Sequence, residues 1–281
     1  MRKTIQEIKS KKKLGEKITM LTAYDYPLAS LIDQTGVDII LVGDSAANVV
    51  LGLDSTRDIS LEAMIHHAKA VSRAVKNALL VGDMPFEAFQ KDAGWAVQCA
   101  KRFIKEAGCD AVKLEWFEGC LEAAQSILAQ DIPVMGHVGL TPQTAERLGG
   151  FKVQGKLAED AQKITEHAKA LEARGCFSLV LECIPRELAK IITENLLIPT
   201  IGIGAGPHCD GQVLVTHDLL GLFERFKPKF VKEYVNVSSV IVKGIQKFRK
   251  DVLKGKFPDR AHSYSMDSKE FKNLKTLFPV F

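Results

Sequence analysis

The chain has 281 residues, 46% of them hydrophobic and 26% charged, with a formal net charge of +4. That is enough apolar material for a large core without disulfides, and the small charge, part of it within residues 9–13, leaves no sustained basic face for nucleic acid. No apolar run is long enough to span a membrane or serve as a signal core, and six scattered cysteines without a C-x-x-C pair read as buried free thiols, so a cytoplasmic protein is expected.

Along the chain, one pattern recurs: an apolar run ends on an acidic or otherwise reactive side chain. Residues 1–13 are predicted to form a short polar helix or arm. A strand over 18–23 closes on Tyr24-Asp25, followed by a helix over 26–35 with Gly36 as its stop. The strand 38–43 runs into Asp44 and Ser45, then a long loop leads to a helix capped by Ser60. The run 79–82 delivers Asp83, a helix spans about 94–107, and 111–114 delivers Glu115. A helix over 119–130 precedes 133–136, which delivers His137, and Thr141-Pro142 opens a short helix. The helix 158–173 feeds 179–181, which delivers Glu182. The helix 186–195 links to 199–203 and its Gly204-Ala205-Gly206 ending, and 212–215 is the eighth strand. An amphipathic helix over 234–253 and a polar tail with an apolar end over 257–281 complete the chain.

Near-continuous apolar strands alternating with helices at roughly thirty-residue intervals indicate parallel βαβ units. Eight of them favour closure as an α/β fold of the (β/α)8 TIM-barrel type, with chemistry at the C-terminal strand ends. The chain reads as a single domain over 1–281, with an N-terminal arm over 1–17 and a C-terminal helix and tail over 232–281.

Asp44 and Asp83 have an ordinary alternative as helix caps. Ser60 is the better cap beyond Asp44, however, and both aspartates follow a Val-Gly step, where glycine would let the backbone approach a ligand. Glu115 is a poor capping residue. Together the three suit a hard divalent cation such as magnesium, whereas zinc lacks its histidine pair or cysteine cluster. Lys113 shares a strand face with Glu115, and an ammonium inside an apolar strand is either a snorkelling lysine or a partner for substrate carboxylate or enolate charge. His137 is either a satisfied core histidine or part of the site. Glu182, flanked by apolar residues that would raise its pKa, reads as a general base or as a capping or pairing group. The glycines at 202–206 fit close approach of a ligand or neighbouring loop better than a dinucleotide motif, because no helix opens after them. His66 and His67 are adjacent on a helix and do not share a face, so they are not taken as ligands.

The segments Met20-Leu21-Thr22-Ala23-Tyr24-Asp25, Val42-Gly43-Asp44-Ser45, Val81-Gly82-Asp83-Met84-Pro85-Phe86 and Val112-Lys113-Leu114-Glu115 resemble the ketopantoate hydroxymethyltransferase family. The resemblance continues, in order, through Gly136-His137-Val138-Gly139-Leu140-Thr141-Pro142-Gln143, Lys152-Val153-Gln154-Gly155, Leu181-Glu182-Cys183-Ile184-Pro185 and Gly202-Ile203-Gly204-Ala205-Gly206. It implies a barrel of the phosphoenolpyruvate/pyruvate superfamily. It also implies transfer of a one-carbon unit from 5,10-methylenetetrahydrofolate to 3-methyl-2-oxobutanoate, giving 2-dehydropantoate for pantothenate and coenzyme A synthesis. By position, Asp44, Asp83 and Glu115 would hold one Mg2+ per subunit. Asp44, Ser45, Asp83, Lys113 and His137 would bind the oxoacid, and Glu182 would accept the proton. The resemblance further implies a homo-oligomer, a decamer by precedent, that binds neither nucleic acid nor membrane. Ala47 and Trp116-Phe117 depart from the family's glycines and would narrow the pocket rim. The alternative reading is another metal-dependent carbon–carbon lyase or ligase of the same superfamily, acting on a different 2-oxoacid.

Overall fold

The computed structural model describes residues 1–89, 91–143, 150 and 152–278. Within them, parallel strands close into a barrel: β1 (Ile18–Thr22), β2 (Ile39–Val42), β3 (Leu79–Asp83), β4 (Ala111–Glu115), β5 (Val134–Gly139), β6 (Ser178–Glu182), β7 (Thr200–Ile203) and β8 (Gly211–Leu214). Each pairs with its chain neighbours, and β8 returns to β1 with Met20 opposite Val213. The helices are α1 (Ile5–Leu14), α2 (Tyr26–Asp33), α3 (Ala46–Val49), α4 (Leu61–Ala74), α5 (Ala93–Lys105) and α6 (Cys120–Leu128). They continue with α7 (Ala158–Arg174), α8 (Arg186–Asn195), α9 (Thr216–Leu219), α10 (Val237–Leu253) and α11 (Ser268–Leu277). The expected barrel is the one found, with element ends shifted by a few residues.

Strand alternation sorts the core into two shells. Met20, Ile39, Leu41, Leu79, Val81, Ala111, Met135, Val180, Ile201 and Val213 fill the lumen. Ile40, Leu80, Val112, Leu114, Val134, Leu179 and Leu181 pack outward under the helices. The same inward parity continues up the strands from Val81 to Asp83, from Ala111 to Lys113 and Glu115, from Met135 to His137, and from Val180 to Glu182. The apolar lumen therefore ends in a polar layer at the C-terminal mouth.

The N-terminal arm closes the opposite end. Thr4 and Glu7 form a reciprocal cap at the start of α1, which buries Ile8 against the lumen residues. Lys3 and Lys11 reach the buried Asp38 at 2.9 and 2.8 Å. Around the barrel, Asp25, Ser60 and Asp92 cap α2, α4 and α5 through their side chains.

Gly82 does not serve ligand approach as its Val-Gly step suggested. It points outward, and a Cβ there would lie 2.4 Å from Phe103 of α5. At Gly43 a Cβ would meet Ser45 Oγ at 2.9 Å, so that glycine leaves room for the turn carrying Asp44 and Ser45. The expected helix after Thr141-Pro142 begins as a tight turn at Pro142 and Gln143, and its continuation over 144–149 lies outside the described residues. Residues 279–281, the expected apolar end, also lie outside them. Helix α10 buries none of its residues in the single chain, leaving Val240, Ile241, Ile245 and Phe248 exposed. No helix among the described residues is long and apolar enough to cross a membrane.

Candidate active site

The polar layer forms the floor of a cavity of about 690 Å³ at the barrel mouth, whose lining includes Asp44, Ser45, Asp83, Lys113, Glu115, His137 and Glu182. Every site residue named from the sequence is thus brought to one place. The pairing register does much of this: Asp83 sits beside Lys113, Glu115 beside His137, and Gly139 beside Glu182.

Lys113 does not snorkel to solvent. Its Nζ lies 2.9 Å from Asp83 Oδ1, 3.8 Å from Glu115 Oε1 and 3.3 Å from His137 Nδ1. Burial works against its charge, but Asp83, Glu115 and Asp44 outweigh that and raise its pKa. His137 bridges two acids, with Nδ1 3.4 Å from Glu115 Oε1 and Nε2 3.2 Å from Glu182 Oε2. Burial and the Lys113 charge would lower its pKa, yet Glu115 and Glu182 prevail and raise it to about 9. The shortest of these contacts is the one between Lys113 and Asp83.

Neither aspartate caps a helix with its side chain. Asp83 Oδ2 accepts the Asp44 backbone N–H at 3.1 Å, and Asp44 Oδ2 accepts Gln143 Nε2 at 3.1 Å. Burial, with the neighbouring Glu115 charge, raises Asp44 to about 6; burial raises Asp83 to about 7 despite the Lys113 ammonium. Asp83 Oδ1 and Glu115 Oε1 are buried and accept no hydrogen bond, although charged nitrogens stand near both. Ser45 precedes α3 without capping it, and its Oγ instead meets Tyr24 Oη at 2.8 Å.

Residues not singled out from the sequence complete the layer. Gln143 is buried, donates to Asp44 and to the Met84 carbonyl, and its backbone N–H donates to Glu115 Oε2 at 3.1 Å. Tyr24 backs Ser45 and is buried. Both lie inside the motifs that carry the family resemblance, but neither ends an apolar run on a charge, so the strand pattern does not mark them. Beyond Glu182 the chain turns at Cys183 with φ 48°, and its carbonyl accepts the Gln154 N–H at 2.9 Å. That bond ties the 152–155 segment to the end of β6. Gly204 admits Phe230, whose Cδ1 would lie 2.8 Å from a Cβ there, so the glycine run serves a neighbouring loop. Ala47 and Trp116-Phe117 do not line the cavity: Ala47 is core, Trp116 stacks on His167, and Phe117 stacks on Phe89.

The donor set is oxygen-rich and hard. Four carboxylates (Asp44, Asp83, Glu115 and Glu182) face one lysine and one histidine, an excess of negative charge that suits a divalent cation. The side chains as they lie do not form a cage: no three acidic, histidine or cysteine groups among the described residues converge on one metal-binding point. The Lys113 ammonium stands among the acids in that arrangement.

The model for ketopantoate hydroxymethyltransferase matches residues 2–260 of this chain. A 3-methyl-2-oxobutanoate hydroxymethyltransferase from Moorella thermoacetica (strain ATCC 39073 / JCM 9320) is 54% identical over 263 residues, covering 94% of this chain and 98% of that protein. One from Syntrophomonas wolfei subsp. wolfei (strain DSM 2245B / Goettingen) is 50% identical over 273 residues, covering 97% and 99%. Among solved structures, a phosphonopyruvate hydrolase in complex with oxalate and Mg++ superposes with a TM-score of 0.60 at 13% identity, covering 99% of this chain and 98% of that one. A 2,3-dimethylmalate lyase of the PEP mutase/isocitrate lyase superfamily does so with a TM-score of 0.57 at 12% identity, covering 97% and 98%. These structural likenesses establish the barrel type and nothing about substrate.

Proposed function

The chain belongs to the ketopantoate hydroxymethyltransferase family, and we propose that the layer from Asp44 to Glu182 at its barrel mouth carries the family's reaction. The protein is a 3-methyl-2-oxobutanoate hydroxymethyltransferase of pantothenate biosynthesis. The donor is 5,10-methylenetetrahydrofolate and the product 2-dehydropantoate, with water supplying the hydroxyl oxygen. The observation that carries this assignment of residues is the parity of the strands: one inward row delivers Asp83, Lys113, Glu115, His137 and Glu182 to the same floor.

Asp44, Asp83 and Glu115 fit one Mg2+ in donor chemistry, and the buried Asp83 Oδ1 and Glu115 Oε1 and the surplus of carboxylates support it. The ion, when bound, would supply Lewis-acid polarisation of the 2-oxoacid's oxygens. Lys113 then faces the substrate's carboxylate or the charge that develops on its keto oxygen. Ser45, held by Tyr24, offers a hydroxyl to the oxoacid. Glu182 takes the proton from C3, leaving an enolate whose C3 attacks the methylene carbon of the folate. His137, between Glu115 and Glu182, holds the Glu182 carboxylate in place. Both C–N bonds of the bridging methylene break: the C3 proton and one proton of water become the two N–H bonds regained on the folate, and the water's hydroxyl stays on the transferred carbon.

The whole chain acts as one domain, with residues 1–17 as the arm that closes the barrel floor. The exposed apolar side chains of α10 support a homo-oligomer in which that helix is covered by another copy. The six free thiols support a reducing, cytoplasmic setting. Purified protein supplied with 3-methyl-2-oxobutanoate, 5,10-methylenetetrahydrofolate and Mg2+ should form 2-dehydropantoate, and excess chelator should stop it. Product formation undiminished by chelator would refute the metal assignment.

A further inference from the structure

The cavity is larger than a five-carbon oxoacid requires; about 300–1,000 Å³ is the range of pockets that enclose drug-sized ligands. Its outer part has a different character from the floor. One wall is the segment after β8, contributing Asp218, Phe223, Phe226 and Phe230, while Lys152 and Lys229 stand on the lining from two different loops. Phe223 and Phe226 meet edge to face with centroids 5.0 Å apart, and Phe226 remains 56% exposed. Phe230 is laid down over Gly204, at the end of β7. An aromatic wall of this kind, open on one side, is suited to stacking a flat heterocycle.

Asp218 stands out on the same wall. Its carboxylate accepts no hydrogen bond and joins no salt bridge among the described residues, and the cation acting on it, Lys227, is itself paired with Glu233 at 2.8 Å. Burial raises its pKa to about 6. A half-buried carboxylate without a donor is costly unless something else supplies N–H groups. The 2-amino-4-oxo edge of a pterin presents two adjacent N–H donors, the geometry a carboxylate accepts from a guanidinium. Lys152 and Lys229 are exposed point charges suited to the carboxylates of a glutamyl tail.

We propose that this outer wall is the folate subsite: the pterin lies against Phe223, Phe226 and Phe230 with its amino edge on Asp218, and the glutamyl tail runs towards Lys152 and Lys229. This places the carrier directly above the floor that holds the oxoacid, and it rests on the one-carbon transfer reading given above.

The test uses the full chain with Asp218→Asn and, separately, Phe226→Ala, whose exposed ring leaves the core untouched. Steady-state kinetics should show KM for 5,10-methylenetetrahydrofolate raised about 10-fold or more in each variant, the usual worth of a charged hydrogen bond or a stacked ring. KM for the oxoacid should stay within about twofold. Titration with tetrahydrofolate, followed by calorimetry, should show a parallel loss of affinity. Unchanged folate KM and affinity in both variants would overturn the subsite, and so would an equal rise in both substrates' KM. If wild-type protein makes no 2-dehydropantoate at all, the transfer reading itself has failed, an outcome distinct from variants that retain normal folate dependence.

Discussion

Lys113 and Asp83 are register partners on neighbouring strands, and their charged ends meet at 2.9 Å with side chains 4% and 1% exposed. Removing one partner of a buried pair typically costs about 3–5 kcal/mol, because the other charge is left behind. Lys113→Ala should therefore lower the melting temperature in chelator, and millimolar Mg2+ should restore part of the loss by replacing the missing positive charge. Turnover should fall as well. A variant that melts like the wild type in chelator would show that the pair contributes little.

Asp83 faces the ammonium with one oxygen and the Asp44 backbone with the other. Asp83→Asn keeps the second contact and removes the charge. Binding of Mn2+, followed by electron paramagnetic resonance, should weaken by at least about tenfold, as loss of an ionic ligand contact of 1.5–3 kcal/mol would predict. Equal Mn2+ affinity in the two proteins would exclude Asp83 from the metal set.

Much of this floor could be read in the sequence because strand parity is a local property. A run such as Val112-Lys113-Leu114-Glu115 announces two inward polar residues on an otherwise apolar strand, and the fold put them where alternation says. Contacts depending on distant segments were not legible in that way. Gln143 looks ordinary until the chain after β5 brings its amide to Asp44, 99 residues away. The same limit explains the misreading of Gly82, whose bare Cα answers to Phe103 across the outer shell. Likewise, nothing in the polar composition of residues 1–13 announced that Ile8 would plug the lumen.

Gly82→Ala gives a packing prediction. The added methyl would sit 2.4 Å from Phe103 Cδ1 and 3.1 Å from Cys109 Sγ. Overpacking of this kind costs about 1–3 kcal/mol. Denaturant melts should show that loss while Mn2+ affinity changes little, since the methyl points away from the cavity. Unaltered stability would mean that α5 yields freely.

Asp33 tests stability against pH. Its carboxylate accepts the backbone N–H groups of Lys76, Asn77 and Ala78 at 2.9–3.1 Å, clamping the turn before β3. Burial alone would raise its pKa, but these donors prevail and lower it below the usual aspartate value. A lowered folded-state pKa means that the contribution is full above the unfolded value of about 3.9 and is lost as pH falls through the folded one. Asp33→Asn should cost about 1–3 kcal/mol at neutral pH, and its deficit relative to wild type should shrink as pH falls below the unfolded value of about 3.9. A deficit independent of pH would assign the effect to packing.

The central claim is that Glu182 removes the C3 proton of the oxoacid on the floor built by Asp83, Lys113, Glu115 and His137. Its most direct test is exchange of that proton with deuterated solvent, followed by NMR on 3-methyl-2-oxobutanoate with Mg2+ and without folate. Wild-type protein should catalyse the exchange. Glu182→Gln should still bind the oxoacid and lose about 10²–10⁴-fold of the exchange rate, the usual worth of a general base. Exchange at the wild-type rate in that variant would contradict the account.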